Sequence, residues 1–371
     1  MFSGGKKSSE GPIGVDIGDH TIRLLQLTWD GDRWSAVAAG SRALSQGLTP
    51  QAGQEYHDAV AHAVREILST GHFKGRRAVS CLPATSLIYK NIRLPKMPRD
   101  ELASAVQWEA SERLKFSGET MSVQFLDAGE VMQGQDARQE AIILAAPNRF
   151  VEKHVESLQA CDLDLEAIDA VPGALARCLS HADLTLDEHE NEPAVRVVLD
   201  IGYGGTKVLI LKGQRVCFFK LIEVGGRHMD EALAEKLDLP MSAAVQARRE
   251  WAGGTVEGPG DARITSALCP VVEELAHEIS LCLRYYSVTF RGRRPDEAWV
   301  AGGEAGNPWL WAKLCENAGL RPMAHDPMTA IDLTRVREAV GGPESWSSWA
   351  VAAGLALRTK AVQKRNRRGA A

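Results

Sequence analysis

Residues 198 to 211 read VLDIGYGGTKVLIL. Apolar, largely β-branched residues run up to a bend and resume after it. The run is broken by Asp200 and by Gly202, Gly204 and Gly205. Apolar runs on either side of a glycine turn read as two strands of a hairpin. An acid at a strand end, followed by bare backbone, has a definite chemical use. Glycines let backbone N–H groups converge into a small anion-binding nest. The carboxylate holds Mg²⁺, directly or through its waters, and the ion bridges to phosphate oxygens. Met once, Asp-x-Gly after a strand is ordinary turn chemistry.

It is met twice. Residues 13 to 34 read IGVDIGDHTIRLLQLTWDGDRW, and without a gap Asp16, Ile17 and Gly18 fall on Asp200, Ile201 and Gly202. Arg23 then falls on Lys207, Leu25 on Leu209 and Leu27 on Leu211. Each copy predicts a meander of three antiparallel strands. The copies lie about half the chain apart, so they mark two similar domains and not a short-repeat solenoid. Two opposed turns, with hydroxyls at Thr21 and Thr206 as further donors, suit a polyphosphate gripped from both sides. The glycines match neither GxGxxG nor GxxxxGK[ST], so a Rossmann or P-loop site is not supported.

The bulk properties agree with a two-domain soluble protein. A chain of 371 residues exceeds one ordinary core. A net charge of −5 gives no electrostatic case for nucleic acid. The seven cysteines are scattered without CxxC spacing, which reads as reduced core thiols of a cytoplasmic protein and not as a disulfide framework or zinc site. The opening MFSGGKKSSEGP reads as a polar lead rather than a signal peptide, and WAVAAGLAL is about half of a bilayer span.

Between the copies, QEYHDAVAHAVREILS (54–69) places Tyr56, Val60, Val64, Ile67 and Leu68 on one helical face. His57 and His62 read as surface positions of that helix. After the strand at 78–84 comes a unit of strand, helix, strand, strand and helix over 85–162, read as an insertion. DLTLDEHENEP (183–193) reads as an acidic linker, and KAVQKRNRRGAA as a basic tail able to meet an anionic leaflet or to stay solvated. In the second half, Gly225 and Gly226 open a helix, MSAAVQARREW is helical, and AGGEAG (301–306) is a glycine turn from a strand into a helix. Such a turn is a natural seat for phosphate or adenosine, and equally an ordinary tight turn.

Together these parts resemble the actin-like ATPase fold: an α/β architecture of two RNase-H-like halves around a nucleotide cleft. The segment LPKMPRDELASAVQWEASERLKF, with EVGGRHMDEALAEKLDL and WAVAAGLALR, is similar to the type IV pilus assembly PilM family, related to the division protein FtsA. The resemblance implies a first half at 11–84 and 163–192, an inserted α+β partner-binding subdomain at 85–162, a second half at 194–358 with an upper subdomain near 225–290, and a tail at 359–371. It implies ATP with Mg²⁺ as ligands, and a cytoplasmic place at the inner face of the cytoplasmic membrane. It also implies the tail of a PilN-like inner-membrane protein as partner, with pilus motor ATPases and self-association as further contacts. Any membrane contact would be indirect or through the basic tail. Residue by residue, Asp16, Gly18, Asp19, Thr21 and Arg23 would form the first phosphate loop. Asp200, Gly202, Gly204, Gly205, Thr206 and Lys207 would form the second. Gly225, Gly226 and Arg248 would approach the nucleotide, and Gly302, Gly303 and Glu304 would lie beside the adenosine. Asp16 and Asp200 would face Mg²⁺ through water.

Three positions depart from the family pattern. Asp19 replaces a small hydroxyl residue, Arg23 a lysine, and MSAAVQARRE lacks the acid that often meets ribose. The chain is thus at most a weak ATPase. Two alternatives stay open: a small-molecule kinase of the same superfamily, which needs a base and an acceptor pocket, and a scaffold that no longer binds nucleotide.

Overall fold

The computed structural model describes residues 10–358 apart from 46, 114–119, 183–192, 255–258, 293 and 324. The linker expected at 183–193, save Pro193, and the tail at 359–371 lie outside the described residues.

The chain begins β1 (Glu10–Ile17), β2 (Thr21–Trp29), β3 (Trp34–Ala43), α1 (Gln54–Thr70) and β4 (Arg77–Cys81). Next come β5 (Ile88–Pro95), α2 (Arg99–Arg113), β6 (Met121–Gln133), β7 (Asp136–Pro147), α3 (Asn148–Gln159), β8 (Asp164–Asp169) and α4 (Val171–Ala182). The second half runs β9 (Val195–Ile201), β10 (Thr206–Lys212), β11 (Arg215–Ile222), α5 (Gly226–Leu237), α6 (Met241–Ala252), α7 (Pro259–Phe290), β12 (Glu297–Ala301) and α8 (Pro308–Ala318). Short strands Arg321–Pro322 and Ile331–Asp332 follow, and the helix Ala350–Ala356 closes the described chain.

The duplication seen in sequence is a duplication of topology. One sheet has the order Ile331–Asp332, β3, β2, β1, β4, β8, and another the order β11, β10, β9, β12, Arg321–Pro322. In both, a three-stranded antiparallel meander is continued by parallel strands beside its first strand. A third sheet, β5-β7-β6, belongs to the insertion.

Contacts divide the chain into two compact units. The first comprises the described parts of Met1–Ser86, Arg149–Asp187 and Pro327–Ala371; the second, those of Leu87–Asn148 and Glu188–Asp326. These boundaries differ from the division drawn on the sequence. Helix α3, placed there with the insertion, sends Leu158 into the core built by Ile13, Val15 and Ile17 of β1 and by Tyr56, Val60, Val64 and Ile67 of α1, and Cys161 just after the helix joins it. The segment after 327 returns to the first unit: Ile331–Asp332 pairs with β3, and every residue of the helix Ala350–Ala356 is buried. The close approach of that helix is fixed by its small side chains and by Arg177 of α4, whose Nε donates to the Gly354 carbonyl at 2.9 Å.

His57 is a correction to the expected surface position. It is buried, with its ring 5.3 Å from Phe150, because α3 covers that flank of α1. His62 is exposed as expected. Beneath α3, His154 is 2% exposed and shares a 3.1 Å hydrogen bond with the Ser80 hydroxyl. Burial, helped by nearby His57, pushes its pKa down to about 3.

In the second unit Val208, Leu209, Ile210 and Leu211 are all wholly buried, so β10 reads as a continuous apolar run and not as an alternation. Each such side chain contributes roughly 1.5–3 kcal/mol by leaving water. The insertion has its own small core of Ile92, Leu94, Val106 and Ile143, among others. It is tied to α7 by buried Glu140, which accepts from Arg93 Nε at 2.9 Å and from the Tyr285 hydroxyl at 2.7 Å. All seven cysteines are free thiols, six of them buried. No helix among the described residues is long and apolar enough to cross a membrane.

Candidate functional site

The two strand-end turns share one construction. Gly18 N donates to Thr21 O at 3.1 Å, and Gly202 N donates to Gly205 O at 3.0 Å. Asp16 lies opposite Arg23 across β1 and β2, as Asp200 lies opposite Lys207 across β9 and β10. Both acids are buried, at 8% and 4% exposure. This register shows that Thr21 corresponds to Gly205, and Ile22 to Thr206. The two threonines therefore do not occupy equivalent places. The Thr206 hydroxyl is fully buried and donates to the Val224 carbonyl at 2.7 Å.

Much of the space made by the second turn's glycines is used by the chain itself. A Cβ at Gly205 would come within 2.7 Å of the Ile222 carbonyl on β11. The bend's carbonyls receive the first turn of α5: Gly226 N donates to Gly202 O at 3.0 Å and Arg227 N to Tyr203 O at 2.9 Å. Gly225 N in turn donates to His228 Nδ1 at 3.2 Å. The turn after β12 closes on the same spot. Gly302 has φ +93°, which favours glycine, and a Cβ there would collide with Asp200 Oδ1. Glu304 N donates to Ile201 O at 3.2 Å, while Gly303 is exposed and faces open space.

Asp200, Lys207 and the glycine turns thus gather in one place, and Arg248 joins them in an unexpected role. Its guanidinium is 4% exposed; Nε donates to Asp230 Oδ1 at 2.6 Å, and the two terminal nitrogens fork onto the Glu304 carboxylate. Burial opposes the charge, but Glu304 and Asp230 outweigh it and hold the guanidinium above its ordinary pKa. Arg248 is therefore a clasp between α6, α5 and the turn after β12. Asp230, which the sequence reading does not single out, completes it. The only sequence signal is an acid four residues into the helix that Gly226 opens.

The first turn uses its side chains otherwise. Arg23 stands over the Trp349 ring at 5.9 Å, and Asp19 accepts from the Thr85 hydroxyl at 2.8 Å. The Cys81 thiol lies 3.9 Å from Asp16 Oδ1.

Nucleotide-bound Mg²⁺ keeps several waters and takes only one or two carboxylates. Asp200 suits that demand. Its Oδ2 is buried without a hydrogen bond, and Lys207 Nζ is 3.2 Å away as an ion-pair partner. A buried carboxylate oxygen that is ion-paired with an ammonium but accepts no hydrogen bond fits a magnesium phosphate as ligand. Among the described residues no group of three or more His, Cys, Asp or Glu could hold a metal by itself.

The sequence model of the family described as type IV pilus assembly protein PilM matches residues 14–360. A solved structure of a PilM–PilN type IV pilus biogenesis complex is similar to this chain with a TM-score of 0.76 and 25% identity, covering 94% of this chain and 98% of that one. The ethanolamine utilization protein EutJ from Carboxydothermus hydrogenoformans matches with a TM-score of 0.55 and 15% identity over 96% of this chain and 92% of its own. That second likeness bears on the fold alone.

Proposed function

The chain belongs to the type IV pilus assembly protein PilM family and has its actin-like fold; from that premise we propose that it is a nucleotide-binding platform of pilus or related secretion machinery. In this reading it binds ATP with Mg²⁺ and holds the N-terminal tail of a PilN-like inner-membrane protein, at the inner face of the membrane. The partner is proposed from the PilM–PilN complex to which the chain is similar.

The observation that carries the nucleotide reading is the Asp200 cluster: a buried strand-end acid with one oxygen lacking a hydrogen bond, an adjacent lysine, and two glycine turns that converge on it. Bound Mg²⁺ would offset phosphate charge there. Asp200 would hold the ion's water, and Lys207 would set the carboxylate's orientation and supply positive charge. Asp16 and Gly18 would be the corresponding phosphate-loop residues of the first repeat. Arg248 would position the wall through Glu304.

Calorimetric titration with MgATP tests this. Wild type should bind, Asp200→Ala should lose about tenfold or more in affinity, and a synthetic tail peptide of a PilN-like protein should bind both forms. Equal, negligible MgATP binding in the two would leave only the bare scaffold.

A further inference from the structure

Two turns leave the first unit's sheet side by side. β1 and β4 pair in parallel, with Val15 opposite Ser80, so the turn after β1 and the turn after β4 lie at the same carboxyl edge. In open α/β sheets, ligands bind outside the carboxyl ends of the parallel strands. Backbone hydrogen bonds brace both turns. Gly18 N donates to Thr21 O at 3.1 Å, Leu44 N to His20 O at 2.7 Å, and Ser86 N to Pro83 O at 2.9 Å. From one turn to the other, the Thr85 hydroxyl donates to Asp19 Oδ1 at 2.8 Å.

That bond sets an alcohol against a carboxylate within the roughly 2.6–3.2 Å reach that a nucleophile and its base require. The neighbouring hydroxyls are placed differently. Ser80 donates to the Val15 carbonyl at 3.1 Å and also meets His154, and the Ser86 hydroxyl is buried without a hydrogen bond. Thr85 is exposed, so its oxygen is open to a reagent outside the edge. A carboxylate repels phosphate. Asp19 is therefore a poor phosphate ligand, but it suits the role of proton acceptor.

We propose that Thr85 is a self-modification site: the chain transfers the γ-phosphoryl group of its own bound nucleoside triphosphate to the Thr85 hydroxyl, with Asp19 as general base. The inference rests on the nucleotide reading of the first strand-end turn. Thr85 Oγ1 attacks the γ-phosphorus. The new O–P bond forms as the bond to the β,γ-bridging oxygen breaks, and the nucleoside diphosphate leaves with that electron pair. The hydroxyl proton passes to Asp19 Oδ1 and from there to water. The product carries about 1.5–2 negative charges beside Asp19. It disfavours a second triphosphate, so the reaction stops at one group per chain.

The test incubates full-length, phosphatase-treated protein with MgATP, reads the intact mass and locates the modified residue by peptide fragmentation. Calorimetry on the same wild-type sample gives its MgATP affinity. Wild type should gain one phosphoryl group, on Thr85. Thr85→Ala should gain none, and Thr85→Ser should accept the group on its own hydroxyl. Asp19→Asn should slow the transfer about 10²-fold or more, the share of a general base. Wild type that binds MgATP yet leaves Thr85 unmodified would overturn this inference while the nucleotide reading stands; absence of MgATP binding would overturn both. Transfer at an undiminished rate in Asp19→Asn would also overturn the proposal.

Discussion

The two repeats have the same strand order and the same acid–base pair opposite each other at the end of the meander, and they differ in what surrounds that pair. In the second, Lys207 turns back onto Asp200, and the turn after β12 presses against the same carboxylate. In the first, Arg23 reaches Trp349, and the strand corresponding to β12 is β4, which ends in Cys81 beside Asp16. The backbone register has been duplicated faithfully while the surroundings of the pair have diverged. The second repeat also has the clasp of Arg248, Asp230 and Glu304. It is the more completely clasped of the two repeats.

The sharpest way to break this comparison is to remove the clasp. Arg248→Ala leaves Asp230 and Glu304 without their cation, and breaking a buried pair of this kind costs about 3–5 kcal/mol. Chemical denaturation should show a loss of that size. A loss below about 1 kcal/mol would mean that the clasp does not hold the second repeat together.

The first repeat has a weakness of another kind, which acid exposes. His154 has a folded pKa of about 3 against an unfolded value near 6.5, so the unfolded chain takes up the proton first. Its contribution is level above about pH 6.5 and is lost as pH falls toward 3. Between pH 7 and 5 the fold should lose about 2 kcal/mol on this account. Stability measured against pH for wild type and His154→Leu gives the check: the variant's curve should be flatter by about one proton in that window. Parallel curves would remove His154 from the account.

Arg23→Ala should have the smallest effect. A cation over one aromatic face at a partly exposed site is worth roughly 0.5–1 kcal/mol, several-fold less than the loss expected at Arg248. A larger loss would mean that the first repeat is as tightly clasped as the second.

The meanders and the helix face of Tyr56, Val60, Val64 and Ile67 were legible because each is written in local periodicity or in a run repeated half a chain away. What was not legible depends on distant partners. Nothing near His57 announces that α3 will cover it. Asp230, Arg248 and Glu304 are 18 and 56 residues apart and meet only when α5, α6 and the turn after β12 are assembled. The unequal places of Thr21 and Thr206 were legible as well, since the gapless alignment that sets Arg23 on Lys207 also sets Thr21 on Gly205. The return of the segment after 327 to the first unit is likewise set by packing, since its small-residue helix would suit either sheet.

The proposal most open to test is that the strand-end acids Asp16 and Asp200 bind a magnesium nucleotide. The direct measurement is MgATP affinity by calorimetry for wild type, Asp16→Ala and Asp200→Ala, with folding of each variant checked by melting. The account predicts one bound nucleotide per chain and a loss of about tenfold or more in each variant. Wild-type affinity retained in Asp16→Ala, in Asp200→Ala or in both would contradict it.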